Sequence, residues 1–238
     1  MWLCDFVEQQ FRIIPTGFLP NFIQMDLFMK NTDWETALKP LISKYKDEKH
    51  PLDYHNLYQL MVMVVLSAQD SDAHINKLAP ALFEKYPDLK SFAKADKADL
   101  ETYIGKVRGF DKKADWLLGI ANELKEDKNI PTNMKDLTAL KGIGRKSANV
   151  IMREAEVKAE GIMVDLHVLR VVDRLGISHA KTGDKMEKDM MAVIPQSMWS
   201  DVGMAISFLG RETCRPTNPK HSECVLSEHC EYCHNQNS

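Results

Sequence analysis

A chain of 238 residues with 44% hydrophobic and 27% charged side chains is long enough to bury one sizeable core, or two intimately joined ones. Its formal net charge of −3 and pI near 6.2 exclude a uniformly basic surface, so any grip on phosphates has to come from local patches. No repeat or low-complexity stretch is present.

Residues 1–30 are apolar in part (Trp2, Phe6, Phe11, Ile13, Ile14, Phe18, Phe22 and Ile23) but are interrupted by Asp5, Glu8 and Arg12. They lack a basic n-region and are too broken to span a membrane. Met25 and Met29 follow, and the reading is a packing arm or an over-extended reading frame. Beyond them the apolar periodicity is helical throughout, with no alternating strand runs. Helices are expected at 33–45, 54–68, 72–85, 97–104, 112–125, 134–140, 145–156, 166–175, 184–193 and 197–210, punctuated by Pro51, Pro87, Pro131 and Pro195. The expected fold class is all-α.

Residues 140–152, LKGIGRKSANVIM, carry the sharpest signal. Gly142 and Gly144 flank Ile143, so the backbone can adopt positive φ and approach a ligand closely while Ile143 plugs inward. Arg145 opens the next helix, and the free N–H groups at its positive end form a site for one phosphate. A bare glycine turn is the plain alternative, but Leu137 and Leu140 precede it at helical spacing and the whole helix-hairpin-helix pattern is filled. Lys146, otherwise an ordinary solvated helix lysine, stands in the first turn beside Arg145. Dipole and neighbouring cation favour its neutral, nucleophilic form, whereas a nearby carboxylate opposes this. Asp165, in VDLH, is placed to cap the expected helix 166–175, and it can also stabilise positive charge or accept a proton. The pair points to a protein that grips a nucleic-acid backbone and attacks a sugar carbon with an amine.

On these residues the chain resembles the endonuclease III family of helix-hairpin-helix DNA glycosylases, over roughly residues 33–233. The resemblance implies that Lys146 attacks C1′ of a damaged nucleoside, releases the base and forms a Schiff base that permits β-elimination. Asp165 would support the attack, on a base extruded from the duplex. It further implies that Gln69, in Leu66–Asp72 (LSAQDSD), fills the gap left by the extruded nucleotide and that Asp72 begins a helix. Residues 60–68 contain no acidic residue, which argues against an adenine glycosylase. Gly109 stands where relatives place an apolar wedge, leaving Arg108 or Phe110 to replace it, unless Gly109 merely turns the chain and Phe110 joins the core. A six-helix domain over 50–159 and a second domain from 31–49 plus 160–238 are expected, with the active site between them.

Four of the five cysteines, Cys214, Cys224, Cys230 and Cys233, crowd the C-terminal segment. No signal peptide points to an oxidising compartment, so thiolate ligation of iron–sulfur or zinc is favoured over disulfides. The family's loop is C-x6-C-x2-C-x5-C, whereas this chain reads C-x6-H-x2-C-x5-C from Cys214, with His221 in second place and Cys233 beyond. Cys214, Cys224 and Cys230 are the expected ligands of a [4Fe-4S] cluster, with His221 or Cys233 as the fourth; a Cys3His zinc site or no cluster at all are the alternatives.

A basic patch is expected from Lys106, Arg108, Lys112, Lys113, Lys141, Arg145, Lys146, Arg215 and Lys220, with the acidic residues of 96–101 and 184–189 facing away. The leading function is a bifunctional DNA glycosylase and AP lyase of base excision repair. It would be a cytoplasmic monomer, nucleoid-associated in a prokaryote, acting on double-stranded DNA that contains an abasic site or a damaged base, by resemblance an oxidised pyrimidine. The alternatives are a relative with different base specificity and weak lyase action, or a noncatalytic DNA-binding protein.

Overall fold

The computed structural model describes residues 32–236, so the expectations for residues 1–30 lie outside the described residues. The described residues contain helices and turns and no strand. In chain order the α-helices are α1 (Trp34–Lys44), α2 (Leu57–Ser67), α3 (Asp72–Lys85), α4 (Leu89–Phe92), α5 (Lys97–Ile104), α6 (Phe110–Leu124), α7 (Met134–Ala139), α8 (Arg145–Glu154), α9 (Leu166–Leu175), α10 (Gly183–Val193), α11 (Trp199–Glu212) and α12 (Glu231–Gln236).

Helix α2 is the hub of the first half. Its sequence LYQLMVMVVLS has no polar face, and Tyr58 together with every residue from Leu60 to Leu66 is buried. Each such burial contributes on the order of 1.5–3 kcal/mol. Asn56 caps its start, accepting from the Gln59 N–H at 2.9 Å, and α3, α6 and α8 pack around it. In the second half α11 has the same part, packing against α9, α1 and α8. Gly203 lets it do so: a Cβ there would meet the Met163 carbonyl oxygen at 2.5 Å and the Met163 nitrogen at 3.0 Å. This close approach holds residues 162–164, the segment just before Asp165, against the core.

The periodicity gave most helices to within three residues at either end. Expected 112–125 begins at Phe110, because Gly109 turns the chain in the left-handed region (φ 68) and starts the helix early. Expected 197–210 splits into a 3-10 turn, Gln196–Met198, followed by α11. Helices α4 and α12 were not anticipated: one is four residues long and held by the Asp88–Ser91 capping box, the other six residues long beside the cysteines.

Gly203→Ala is expected to cost about 1–3 kcal/mol by overpacking against fixed backbone. Gly119→Ala, on α6 with open space around the added methyl, should be neutral or raise stability by up to about 1 kcal/mol. Paired thermal unfolding measures both; equal midpoints for the two variants would contradict the close-approach argument.

Candidate active site

The hairpin forms between α7 and α8. Gly142 adopts φ 88, with the Trp116 ring so close beneath it that a Cβ would meet its Cε3 at 2.6 Å. Ile143 is buried, and its N–H donates to the Leu140 carbonyl at 3.2 Å. Gly144 occupies the N-cap of α8 and offers no side-chain acceptor, so the first amides of that helix face outward.

Lys146 is exposed in the first turn of α8 and has no hydrogen bond or ion pair among the described residues. It lines a solvent-open cleft that Asp165 also lines. The two residues singled out by sequence therefore share one groove. Asp165 caps α9: its Oδ1 accepts from the N–H groups of His167 and Val168, each at 2.8 Å, and its Oδ2 accepts from the Ser207 hydroxyl at 2.7 Å. Ser207, buried on α11, also lies 3.5 Å from Nε of Arg211, whose Nη2 reaches Asp72 at 3.3 Å. The capping and catalytic readings of Asp165 are thus compatible, because the bonds that cap the helix hold the carboxylate toward the cleft.

Ser207, Arg211 and His50 line the same cleft and were missed by sequence reasoning. The i,i+4 spacing of Ser207 and Arg211 puts them on one helix face, a signal that was present but not decisive without a partner. Leu166, 78% exposed immediately after Asp165, is an apolar side chain turned outward where the periodicity alone gave no reason to expect it.

Gln69 is exposed and takes φ 62, the left-handed region, directly after α2. The preceding turn is fixed by Lys113, whose Nζ donates to the carbonyls of Leu66 at 2.7 Å and Ala68 at 2.6 Å. Lys113 is only 4% exposed, and burial holds its pKa below the ordinary lysine range despite Asp70 nearby. It is a structural cation, which corrects its assignment to the surface patch. Asp70 joins this turn to the next loop, accepting from the Arg108 N–H at 3.2 Å, while its other oxygen takes Ser71 N–H and lies 2.8 Å from His74 Nδ1. Burial pulls the Asp70 carboxyl upward, but the bonds from His74, Ser71 and Arg108 outweigh it and hold the group below the usual carboxylate range. Arg108 is exposed beside Gln69's loop, whereas Phe110 packs against the core.

Arg145 is also reassigned in part. Its Nε donates to Oε2 of Glu187 at 2.5 Å, and the same buried carboxylate accepts from Asn149 at 2.9 Å and the Ile162 N–H at 3.1 Å through Oε1. Glu187 consequently does not face away with its acidic neighbours, as the charge pattern suggested; it ties α8 to α10. Lys106, Arg108, Lys112, Lys141 and Lys146 remain exposed and without ion pairs among the described residues. Lys220 pairs with Glu223 at 3.0 Å, and Arg215 is exposed near the cysteines.

Near the C-terminus every pair among Cys214, Cys224, Cys230 and Cys233 is within electrostatic reach. Burial, followed in each case by lesser influences including the neighbouring thiols, pushes Cys224 and Cys230 up and Cys233 up to about 11. Arg174 donates through Nη1 to Cys214 Sγ at 3.3 Å, and its guanidinium lies 4.8 Å from the Tyr232 ring centre. His221 stacks on the other partner of that group, Tyr232, and its Nδ1 lies 2.8 Å from Cys233 Sγ. Among the described residues no three His, Cys, Asp or Glu side chains are close enough to enclose a single ion.

The family model for the HhH-GPD superfamily base excision DNA repair protein matches residues 62–196. The endonuclease III of Synechocystis sp. is 37% identical over 181 residues, covering 75% of this chain and 83% of that protein, and that of Thermotoga maritima is 30% identical over 177 residues, covering 74% and 83%. A solved non-covalent endonuclease III–DNA complex superposes with a TM-score of 0.75 at 31% identity, covering 85% of this chain and 95% of the other. A trapped covalent endonuclease III–DNA intermediate gives 0.75 at 30% identity, covering 85% and 96%. The hairpin, the all-helical fold and these similarities define a base excision DNA repair enzyme of the HhH-GPD superfamily. Within it the chain belongs to the endonuclease III family.

Ser207→Ala removes the partner of Asp165 Oδ2 while leaving both amide bonds to Oδ1. Turnover on damaged DNA is expected to fall about tenfold, the equivalent of one charge-assisted hydrogen bond, with DNA affinity kept within about twofold. A loss of affinity equal to the loss of turnover would contradict this role.

Proposed function

We propose that the chain is a bifunctional DNA glycosylase and AP lyase in which Lys146 is the nucleophile and Asp165 its charged partner. The observation that carries this reading is the unpaired amine of Lys146 sharing a cleft with the fixed carboxylate of Asp165. Nζ of Lys146 attacks C1′ of the extruded nucleotide, and the N-glycosidic bond breaks with its electron pair leaving on the base. Loss of a proton from the attached nitrogen and opening of the sugar give an imine, which acidifies C2′ so that β-elimination breaks the C3′–O bond. Asp165 stabilises the positive charge at C1′ while the base departs. The outward amides at Gly142–Arg145 and the exposed cations Lys106, Arg108, Lys112 and Lys141 would hold phosphates, and Gln69 would enter the gap in the duplex. An oxidised pyrimidine is the preferred class of lesion.

The same reading divides the chain into a domain of residues 50–159 and a second of 31–49 with 160–238, with the cleft at their junction. This division is supported by α2 gathering α3, α6 and α8 from the first and α11 gathering α1 and α9 from the second, with α11 also meeting α8 across the junction. The enzyme would act as a monomer where the DNA lies, cytoplasmic and nucleoid-associated in a prokaryotic cell; among the described residues no helix is long and apolar enough to cross a membrane.

For the cysteines we infer a [4Fe-4S] cluster held by Cys214, Cys224, Cys230 and Cys233, with His221 hydrogen-bonded to the Cys233 sulfur rather than ligating. Support comes from the mutual proximity of the four thiols and the 2.8 Å contact of His221 with Cys233. Bound there, the cluster supplies a structural tie between α9, α12 and the loop carrying Arg215. Visible absorption and iron content test the ligand set. Cys233→Ser should lose most of both and His221→Ala should keep them; the reverse result would make the histidine a ligand.

Incubation with abasic-site DNA and borohydride tests the reaction itself. A covalent adduct is expected, absent in Lys146→Ala. Asp165→Asn should lower turnover by at least about a hundredfold, within the range of positioned charged groups, while changing affinity little. Base release without any adduct would show a monofunctional enzyme instead.

A further inference from the structure

His50 lies in the segment between α1 and α2 and lines the cleft shared by Lys146 and Asp165. Its Nδ1 accepts from the Leu52 N–H at 3.0 Å, so the neutral ring carries its proton on Nε2. Burial holds the imidazole below its ordinary pKa, against the upward pull of Glu154 and Asp72 and together with the downward push of Arg153, and the ring is neutral near pH 7. It sits edge-on to Tyr54 with centroids 5.9 Å apart; the Tyr54 hydroxyl in turn donates to Glu154, which also takes Arg153. The ring is thereby held in one orientation by a chain of contacts reaching α8.

Nε2 of His50 has no partner among the described residues, and it is not sealed from solvent. The other polar walls of the cleft are largely spoken for. Asp72 pairs with Arg211, Ser67 donates to the Val64 carbonyl, and Ser207 donates to Asp165. Among the described residues this leaves the amine of Lys146, Nη1 of Arg211, the hydroxyl of Ser147 and the Nε2–H of His50. A hydroxyl both donates and accepts and so discriminates little, whereas a neutral imidazole with its other nitrogen engaged offers one fixed donor.

We propose that His50 reads the extruded base, its Nε2–H donating to an exocyclic carbonyl oxygen of a keto-pyrimidine. This rests on the glycosylase reading above and makes His50 a specificity-determining residue. A carbonyl placed at Nε2 satisfies this cleft-lining donor, and an amino group there leaves two donors opposed, a mismatch that a polar site disfavours once the base has displaced solvent. An abasic site has no base to read, so the lyase step on such DNA does not involve His50.

The test uses the full chain with two variants and two duplexes, one containing 5-hydroxyuracil and one an abasic site. His50→Asn keeps an acceptor for the Leu52 N–H and removes the donor at the far nitrogen; His50→Gln restores an amide donor near it. His50→Asn is expected to release 5-hydroxyuracil about tenfold more slowly while nicking the abasic duplex within twofold of the unaltered enzyme, and His50→Gln should recover most of the loss. Unchanged base release in His50→Asn, or a parallel fall on both duplexes, overturns the proposal. If the unaltered enzyme forms the borohydride adduct on abasic DNA yet releases no 5-hydroxyuracil, this proposal fails alone; if it forms no adduct, the glycosylase–lyase reading fails with it.

Discussion

The carboxylate of Asp165 is the constraint on which the site depends. One oxygen satisfies two amides at the start of α9 and the other takes the Ser207 hydroxyl from α11, so a single anion fixes the relative placement of two helices. Helix-capping bonds of this kind contribute roughly 1 kcal/mol each. Their larger effect is directional. The amides and hydroxyl leave the carboxylate little freedom to rotate, and the glycine at 203 presses the chain segment before it against α11. An anion whose orientation is already settled needs no reorganisation when positive charge develops opposite it.

Lys146 is positioned by a separate set of forces. Its helix begins at the hairpin because Gly142 tolerates a positive φ above Trp116 and Ile143 anchors the turn in the core. Behind it, Glu187 gathers Arg145, Asn149 and the Ile162 amide, so the helix bearing the amine is tied to α10 and to the chain leading to Asp165. Glu187 is turned inward, and Lys106, Arg108, Lys112 and Lys141 are exposed and without ion pairs among the described residues, so a net charge of −3 does not preclude local phosphate contact. Short-range placement of charge, rather than its sum, governs phosphate contact.

Much of the fold was legible because the signal was local. The buried run of α2, the glycine hairpin and the cap at Asp165 each declare themselves within a dozen residues, where propensity and periodicity act. What escaped was non-local. Lys113 reads as one more surface lysine until the carbonyls of Leu66 and Ala68 are brought to it from the end of another helix. Glu187 sits in an acidic stretch that looks solvated, and only the return of the chain at Ile162 gives it three donors. His50 carries no motif at all; its meaning comes from the loop bond to Leu52 and the opening of the cleft beside it.

The C-terminal cysteines show the same distinction from the other side. Spacing alone sets His221 in a cysteine's place and leaves Cys233 as a surplus, because a pattern counts residues and does not know how a loop folds. The 3-10 turns His221–Glu223 and Ser227–His229 shorten the path along the chain, and α12 returns Cys233 to the group. His221 is then adjacent to Cys233, the other candidate for the fourth ligand, with its ring stacked on Tyr232 and that ring in turn covered by Arg174. A donor beside a thiolate stabilises its charge without occupying a metal, so the proposed ligand set can take its fourth sulfur from Cys233 with His221 as a hydrogen-bonding neighbour.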